Sequence, residues 1–147
     1  MEQVSIVRAD LSNQRQAEDV LAMLDHYAFH PMGQGRPFDA AVRSRLIPGL
    51  RDHPTTVALL AYQGERPVGV ALCFRGFSSF KAKPLINIHD FAIHESARGQ
   101  GVGRRLMEAV FAMARDMGCC RVTLEVAVAN EPAKNLYEKC GFEPGEP

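Results

Sequence analysis

The chain has 147 residues, room for one domain that buries roughly 70% of its unfolded surface and needs no metal or disulfide to fold. Its 17 Lys and Arg balance 17 Asp and Glu, which argues against a basic nucleic-acid footprint and against binding to an anionic membrane. Hydrophobic residues at 46% and charged residues at 23% exclude wholesale disorder, and no apolar run reaches the ~18 residues of a membrane span. The opening MEQVSIVRAD carries acid and polar residues where a signal peptide would carry an apolar run. Cys73, Cys119, Cys120 and Cys140 fit no CxxC or zinc spacing. Reduced, buried thiols in a cytoplasmic protein are the expectation, with no metal.

The elements follow in chain order. Val4, Ile6 and Val7 predict a short first strand. Asp10 or Ser12 can cap a helix whose apolar side is Ala17, Val20, Leu21 and Leu24. The stretch from His30 to Pro37 holds two prolines and two glycines and breaks it. A second helix is expected from Asp39, with Val42 and Leu46 inward, ending near Ile47 because Pro48-Gly49 follows. Thr55 to Tyr62 and Val68 to Phe74 read as a hairpin turning at Gln63–Arg66, and Leu85 to Ile93 as a third strand of that group. Val102, Leu106, Val110, Ala114 and Met117 then mark an amphipathic helix, with Met107, Phe111 and Met113 widening its apolar stripe and Gly118 stopping it. Arg121 to Ala129 alternates strictly and predicts a strand. A last short helix has Asn130 as N-cap, Pro132 in its first turn and Gly141 past its end. The chain reads as one mixed α/β domain.

Arg98-Gly99-Gln100-Gly101-Val102-Gly103 lies between a strand and the long helix. Glycines there allow positive φ and close approach of a ligand. Successive free N–H groups added to the helix dipole suit a phosphate or pyrophosphate, and Arg98 and Arg104 can add charge-assisted hydrogen bonds. The bland alternative is a tight strand-to-helix turn. A dinucleotide fingerprint fails, because its third glycine would fall on Arg104 or Leu106, and no Walker Lys-Ser/Thr pair follows.

The pattern Arg98-x-x-Gly101-x-Gly103 resembles the acetyl-CoA loop of the GNAT superfamily of N-acetyltransferases. Asn130-Glu131-Pro132-Ala133-Lys134-Asn135-Leu136-Tyr137, running on to Gly141-Phe142, resembles that superfamily's second motif, in the right order and with a helix and a strand between. The resemblance is strong from Leu85 to Phe142 and weak before it. Ile88-His89-Asp90-Phe91-Ala92-Ile93 with Asn130-Glu131-Pro132 looks most like the diamine (spermidine/spermine) acetyltransferase branch.

The resemblance implies an α/β (α+β) fold: a mixed, mostly antiparallel central sheet flanked by helices, with a shortened C-terminal end. It implies acetyl-CoA as co-substrate, held by backbone amides from Gly99 to Arg104, including Gln100, Val102 and Gly103, and by Asn130. It also implies a bulged strand whose backbone at Phe91 and Ile93 meets the pantetheine and acetyl groups, with the Phe91 amide as oxyanion donor. Tyr137 falls at the general-acid position. His89 matches a glutamate of the diamine branch, and a histidine's ordinary pKa of about 6.5 suits general-base work. Asp90 matches an aspartate of that branch. Asn87 matches a position where other branches keep a glutamate, and an amide cannot act as a base. His26, His30 and Asp25 border the implied acceptor pocket or form a plain surface cluster.

The function expected is transfer of an acetyl group to the primary amine of a small molecule, such as a polyamine or amino-acid-like amine, by direct attack in a ternary complex. A non-catalytic acetyl-CoA-binding module and acetylation of a protein amine are the alternatives. The family's sheet continues past the second motif, whereas only Gly141 to Pro147 follows here. Arg121–Ala129 is therefore expected to be an open edge covered by a second protomer, as in a two-fold homodimer.

Overall fold

The computed structural model describes residues 3–31, 33–125 and 131–143. Strands β1 (Val4–Arg8), β2 (Thr56–Gln63), β3 (Arg66–Ser78), β4 (Lys83–Ile93) and β5 (Val122–Leu124) form one sheet in that spatial order. The first three pairings are antiparallel and β4–β5 is parallel. Helices α1 (Gln14–Phe29) and α2 (Ala40–Asp52) pack on one face, and α3 (Val102–Asp116) and α4 (Glu131–Lys139) on the other. This is the mixed, mostly antiparallel α+β architecture expected.

Strand β2 and the Val68–Cys73 part of β3 are mostly apolar and buried because both of their faces are covered. On β2, Val57 and Leu59 join Leu106, Met107 and Val110 of α3 in one core. Ala58, Leu60 and Tyr62 join Val20, Met23 and Leu24 of α1 in the other. The α3 stripe is buried as its spacing predicts, and Gly118 follows it in the left-handed region at φ +74°.

Three local expectations are corrected, and a fourth falls largely outside the described residues. The α1 cap is Asn13, whose side chain accepts the Gln16 N–H at 3.0 Å, while Asp10 accepts the Ser12 N–H and builds the turn before it. Met23 and Ala28 join the buried stripe of α1, and Leu21 is only half-buried. Helix α2 runs through Pro48 to Asp52, so Leu50 reaches the core while Val42 is exposed. An interior proline costs roughly 3 kcal/mol, and burial of one leucine, worth about 1.5–3 kcal/mol, offsets most of it. Finally, β5 covers Val122–Leu124, and positions 126–130 of the expected strand and cap, including Asn130, lie outside the described residues.

The segment between α1 and α2 is tied down by Asp25. Its carboxylate accepts the Phe38 N–H at 3.0 Å and pairs with Arg43. The carbonyl of Ala28 accepts N–H groups from Gln34 and Arg36. A side chain at Gly33 would stand 2.3 Å from the Tyr27 carbonyl oxygen, so only glycine fits where this loop folds back on α1.

Candidate active site

The strand pairing of β4 makes the first element of the site. Ile88 lies opposite Cys73 and Asp90 opposite Leu72, so His89 has no partner on β3 and forms a bulge. Before the bulge, Ile86 and Ile88 face the α3 core; after it, Phe91 and Ile93 do. The extra residue therefore puts His89 and Asp90 side by side on the α1–α2 face, where a regular strand would point them to opposite faces. His89 stands exposed with its ring edge-on to Phe74, centroids 5.5 Å apart, and Phe74 is edge-on to His53 at 5.2 Å.

Pairing of β4 with β5 spans Ile86–Ile88. From the bulge onward that edge of β4 has no strand partner among the described residues. Among the described residues the parallel pairing thus ends at Ile88, one residue before the bulge. At that level Asn87 donates its side-chain N–H to the Thr123 hydroxyl at 3.0 Å, tying β4 to β5.

The glycine loop lies beyond the end of β4. A 3-10 turn, Glu95–Ala97, leads into it, and Gly99 and Gly101 take φ values of +75° and +78°. A Cβ at either would meet nothing within 4 Å, so both glycines answer a backbone conformation beside open space. Gly101 is the N-cap of α3, and among the described residues no side-chain cap bond is made to that helix start. Its first amides are therefore free for an anion, the arrangement a pyrophosphate requires. Gly103 does something different: a Cβ there would press on Leu136 at 3.1 Å and Ile93 at 3.5 Å, so it lets α4 lie close on α3 and β4.

The remaining loop side chains are largely committed. Val102 is buried, leaving only its backbone to a ligand. Gln100 donates to the Ser96 carbonyl and accepts from Gln63 at 2.7 Å, bracing the loop against the β2–β3 end. Arg104 pairs with Glu108 along the surface of α3, and Arg98 is exposed.

Tyr137 on α4 is 9% exposed and packs edge-on to Phe91, centroids 6.0 Å apart. This brings the second motif onto the strand after the bulge. Burial, with the Tyr27 phenol second, pushes the Tyr137 hydroxyl up to about 12, so it keeps its proton at neutral pH. Burial also raises the Asp90 carboxyl above the ordinary carboxylate range, and the neighbouring His89 opposes that rise. Tyr27, near the end of α1, is half-buried; burial first and the Asp90 charge second raise its hydroxyl. Sequence reading missed Tyr27 because, three, four and seven residues beyond Leu24, Met23 and Val20, it falls on the core stripe of α1. Only its hydroxyl hinted otherwise.

All four cysteines are free, and burial raises the thiols of Cys73, Cys119 and Cys140, which makes poor nucleophiles of them. His26, His94 and Glu95 bring one ligating atom each within 4.8 Å of one another. The two imidazoles are stacked, however, with planes only 21° apart, so their in-plane lone pairs run side by side instead of converging on an ion. An open groove of about 260 Å³, lined by Phe111, Cys119 and Phe142 among others, lies at the opposite end of α3 from the glycine loop. No helix among the described residues is long and apolar enough to cross a membrane.

Comparison with known proteins agrees with this fold. Bovine thialysine N-epsilon-acetyltransferase is 33% identical over 79 residues, 54% of this chain and 46% of the relative. A putative [ribosomal protein bS18]-alanine N-acetyltransferase of Bacillus subtilis is 38% identical over 58 residues, 40% of this chain and 38% of the relative. The matched stretches span between 36% and 62% of the length of the first four curated relatives. A crystal structure of a probable acetyltransferase superposes with a TM-score of 0.84 at 24% identity, over 97% of this chain and 91% of that one. An aminoglycoside acetyltransferase from an uncultured soil metagenomic sample superposes at 0.79, with 17% identity, over 98% of this chain and 91% of that one. Residues 18–142 match the acetyltransferase (GNAT) family as a whole, and the chain belongs to that family.

Proposed function

We propose that the chain transfers the acetyl group of acetyl-CoA to a primary amine of a small molecule, by direct attack within a ternary complex. The observation that carries this reading is the bulge at His89 on the strand that leads, through the Glu95–Ala97 turn and the glycine loop, to the start of α3 at Val102. Such an arrangement, with helix-start amides beyond the strand's end and titratable side chains at its bulge, suits a thioester whose pyrophosphate sits on the loop.

In this reading the backbone of Phe91 and Ile93 lies along the pantetheine and acetyl groups, and the Phe91 N–H donates to the oxyanion. Such donors typically contribute about 10²–10³ in rate. The acceptor arrives as an ammonium ion and must lose a proton first. His89 and Asp90, adjacent on the α1–α2 face, are the candidates to take it. Asp90's raised carboxyl makes it a stronger base than a surface carboxylate. Tyr137, protonated and beside Phe91, gives its proton to the departing thiolate.

For the acceptor we favour an amino-acid-like or diamine amine. The support is the diamine-type run Ile88–Ile93 together with the bovine relative, whose name specifies the ε-amine of thialysine. The test is coenzyme A release by the purified protein with acetyl-CoA and a panel of amines: spermidine, lysine, thialysine and an N-terminal alanine peptide. Acetylation of spermidine, lysine or thialysine is expected. Acetylation of the peptide alone would shift the reading to a protein amine, and coenzyme A binding without turnover on any amine would make this a binding module.

A further inference from the structure

We infer that His94 is a positioning residue for the cofactor loop: its imidazole, with the proton on Nε2, caps the 3-10 turn through which β4 enters that loop. The inference rests on reading the glycine loop as the acetyl-CoA site. His94 follows β4 directly, and its own N–H is fixed to the Val68 carbonyl at 2.7 Å. Its Nδ1 accepts the backbone N–H of Ser96 at 3.1 Å and lies 2.8 Å from the Ser96 hydroxyl. An amide can only donate, so Nδ1 must present its lone pair and the ring proton of the neutral form must sit on Nε2.

Ser96 is also where the loop is held from the other side. Its carbonyl accepts from Gln100, whose own oxygen accepts from Gln63, and Gln63 in turn accepts from Arg66 at 3.0 Å. The turn before Gly99 and Gly101 is therefore pinned between an imidazole cap and a glutamine brace. The imidazole is itself held in place by the His26 ring of α1, stacked at 4.5 Å. The same commitment of Nδ1 argues against chelation, because a metal on Nε2 would need the ring proton moved to Nδ1, against the Ser96 N–H. Burial first and the charge of His26 second make His94 harder to protonate than an ordinary histidine. Arg66 of β3 and Arg98 of the loop act in the same sense, and Glu95 opposes them. Protonation would replace the cap acceptor with a donor facing a donor.

The test compares His94→Ala with His94→Asn, since an asparagine oxygen can accept the same N–H without titrating. Coenzyme A binding is measured by calorimetry at pH 7.5. Loss of a cap is expected to weaken binding in His94→Ala by about threefold to tenfold, and His94→Asn should restore it to within about twofold of wild type. Equal weakening in both variants would mean that the His26 stack, not the cap, holds the loop, and overturns the inference; so does unchanged binding in His94→Ala. If His94→Ala does not fold, His94→Asn is still compared with wild type, and loss of binding there overturns it. Long-range proton–nitrogen spectra of the ligand-free wild type give a second reading. An Nε2–H tautomer is expected, with a titration midpoint below the ordinary histidine value, and an Nδ1–H tautomer overturns the cap. Failure of the wild type to bind coenzyme A would sink the loop assignment itself, a result distinct from any of these.

Discussion

In the proposed reading the cofactor side and the acceptor side of the site, taken as two walls, are built differently. The cofactor wall is backbone: two glycines at positive φ, an uncapped helix start, and side chains such as Gln100 and His94 turned to bracing the loop. The acceptor wall is side chain: His89 and Asp90 from a bulge, Tyr27 from a helix some sixty residues earlier in the chain, Phe74 and His53 from two further elements. A wall of amides recognises one constant group, whatever the side chains nearby. A wall of side chains can be changed one residue at a time, and it is there that acceptor choice resides in this reading.

The largest effect should come from blocking the amide wall. Gly101→Glu forces a side chain into the left-handed region and sets a carboxylate beside the pyrophosphate position. Coenzyme A binding by calorimetry should fall by about 100-fold or more, on the order of 3 kcal/mol. A folded variant that binds like wild type would remove the loop from the cofactor site.

Next in size is Tyr137→Phe. The ring and its contact with Phe91 are kept and only the proton donor is lost. We expect kcat to drop about 10²-fold with KM for acetyl-CoA little changed. Because the hydroxyl is pushed up to about 12, the wild type should show no alkaline loss of activity from this group below about pH 10. Unchanged turnover at neutral pH would take Tyr137 out of the mechanism.

On the acceptor wall the expected effects are about tenfold and depend on pH. Asp90 can take a proton only when ionised, and its carboxyl is raised. Activity carried by Asp90 should therefore be lost as pH falls through a midpoint above the ordinary carboxylate range, and Asp90→Asn should abolish that limb in kcat/KM for the amine. If His89 is the base, the limb survives Asp90→Asn and vanishes in His89→Ala instead. A limb that survives both substitutions leaves proton removal to water.

The same contrast explains what could be read from the residues alone. Glycine spacing, the α3 stripe and the apolar runs of β2 and β3 are local patterns, and local geometry follows from them. The loop and the helix behind it were accordingly legible, down to Gly118 and Gly141 as stops. The resemblance foresaw a bulge but not its residue, because the two-against-one count at His89 exists only once β3 is laid beside β4. Tyr27 and the His26–His94 stack depend on where α1 lands on the sheet, which no spacing within α1 encodes. Pro48 was misread for a related reason: its local cost was visible, while the burial of Leu50 that offsets it was not.

The smallest expected effect separates two glycines that look alike in the motif. Gly101 and Gly103 both belong to the loop pattern, yet a Cβ at Gly103 meets Leu136 at 3.1 Å and Ile93 at 3.5 Å, whereas one at Gly101 meets nothing. Gly103 also lies in the first turn of α3 without positive φ. Gly103→Ala should gain up to about 1 kcal/mol from helix propensity and lose about 1–3 kcal/mol from overpacking against α4. The net is a loss of about 1 kcal/mol, or a fall in Tm of roughly 2–4 °C for a chain of this size. Because the contact is with Leu136 of α4, and not with the pyrophosphate position, coenzyme A affinity should stay within about threefold of wild type. A loss comparable to that of Gly101→Glu would show that the amide wall extends one residue further into α3 than its packing suggests.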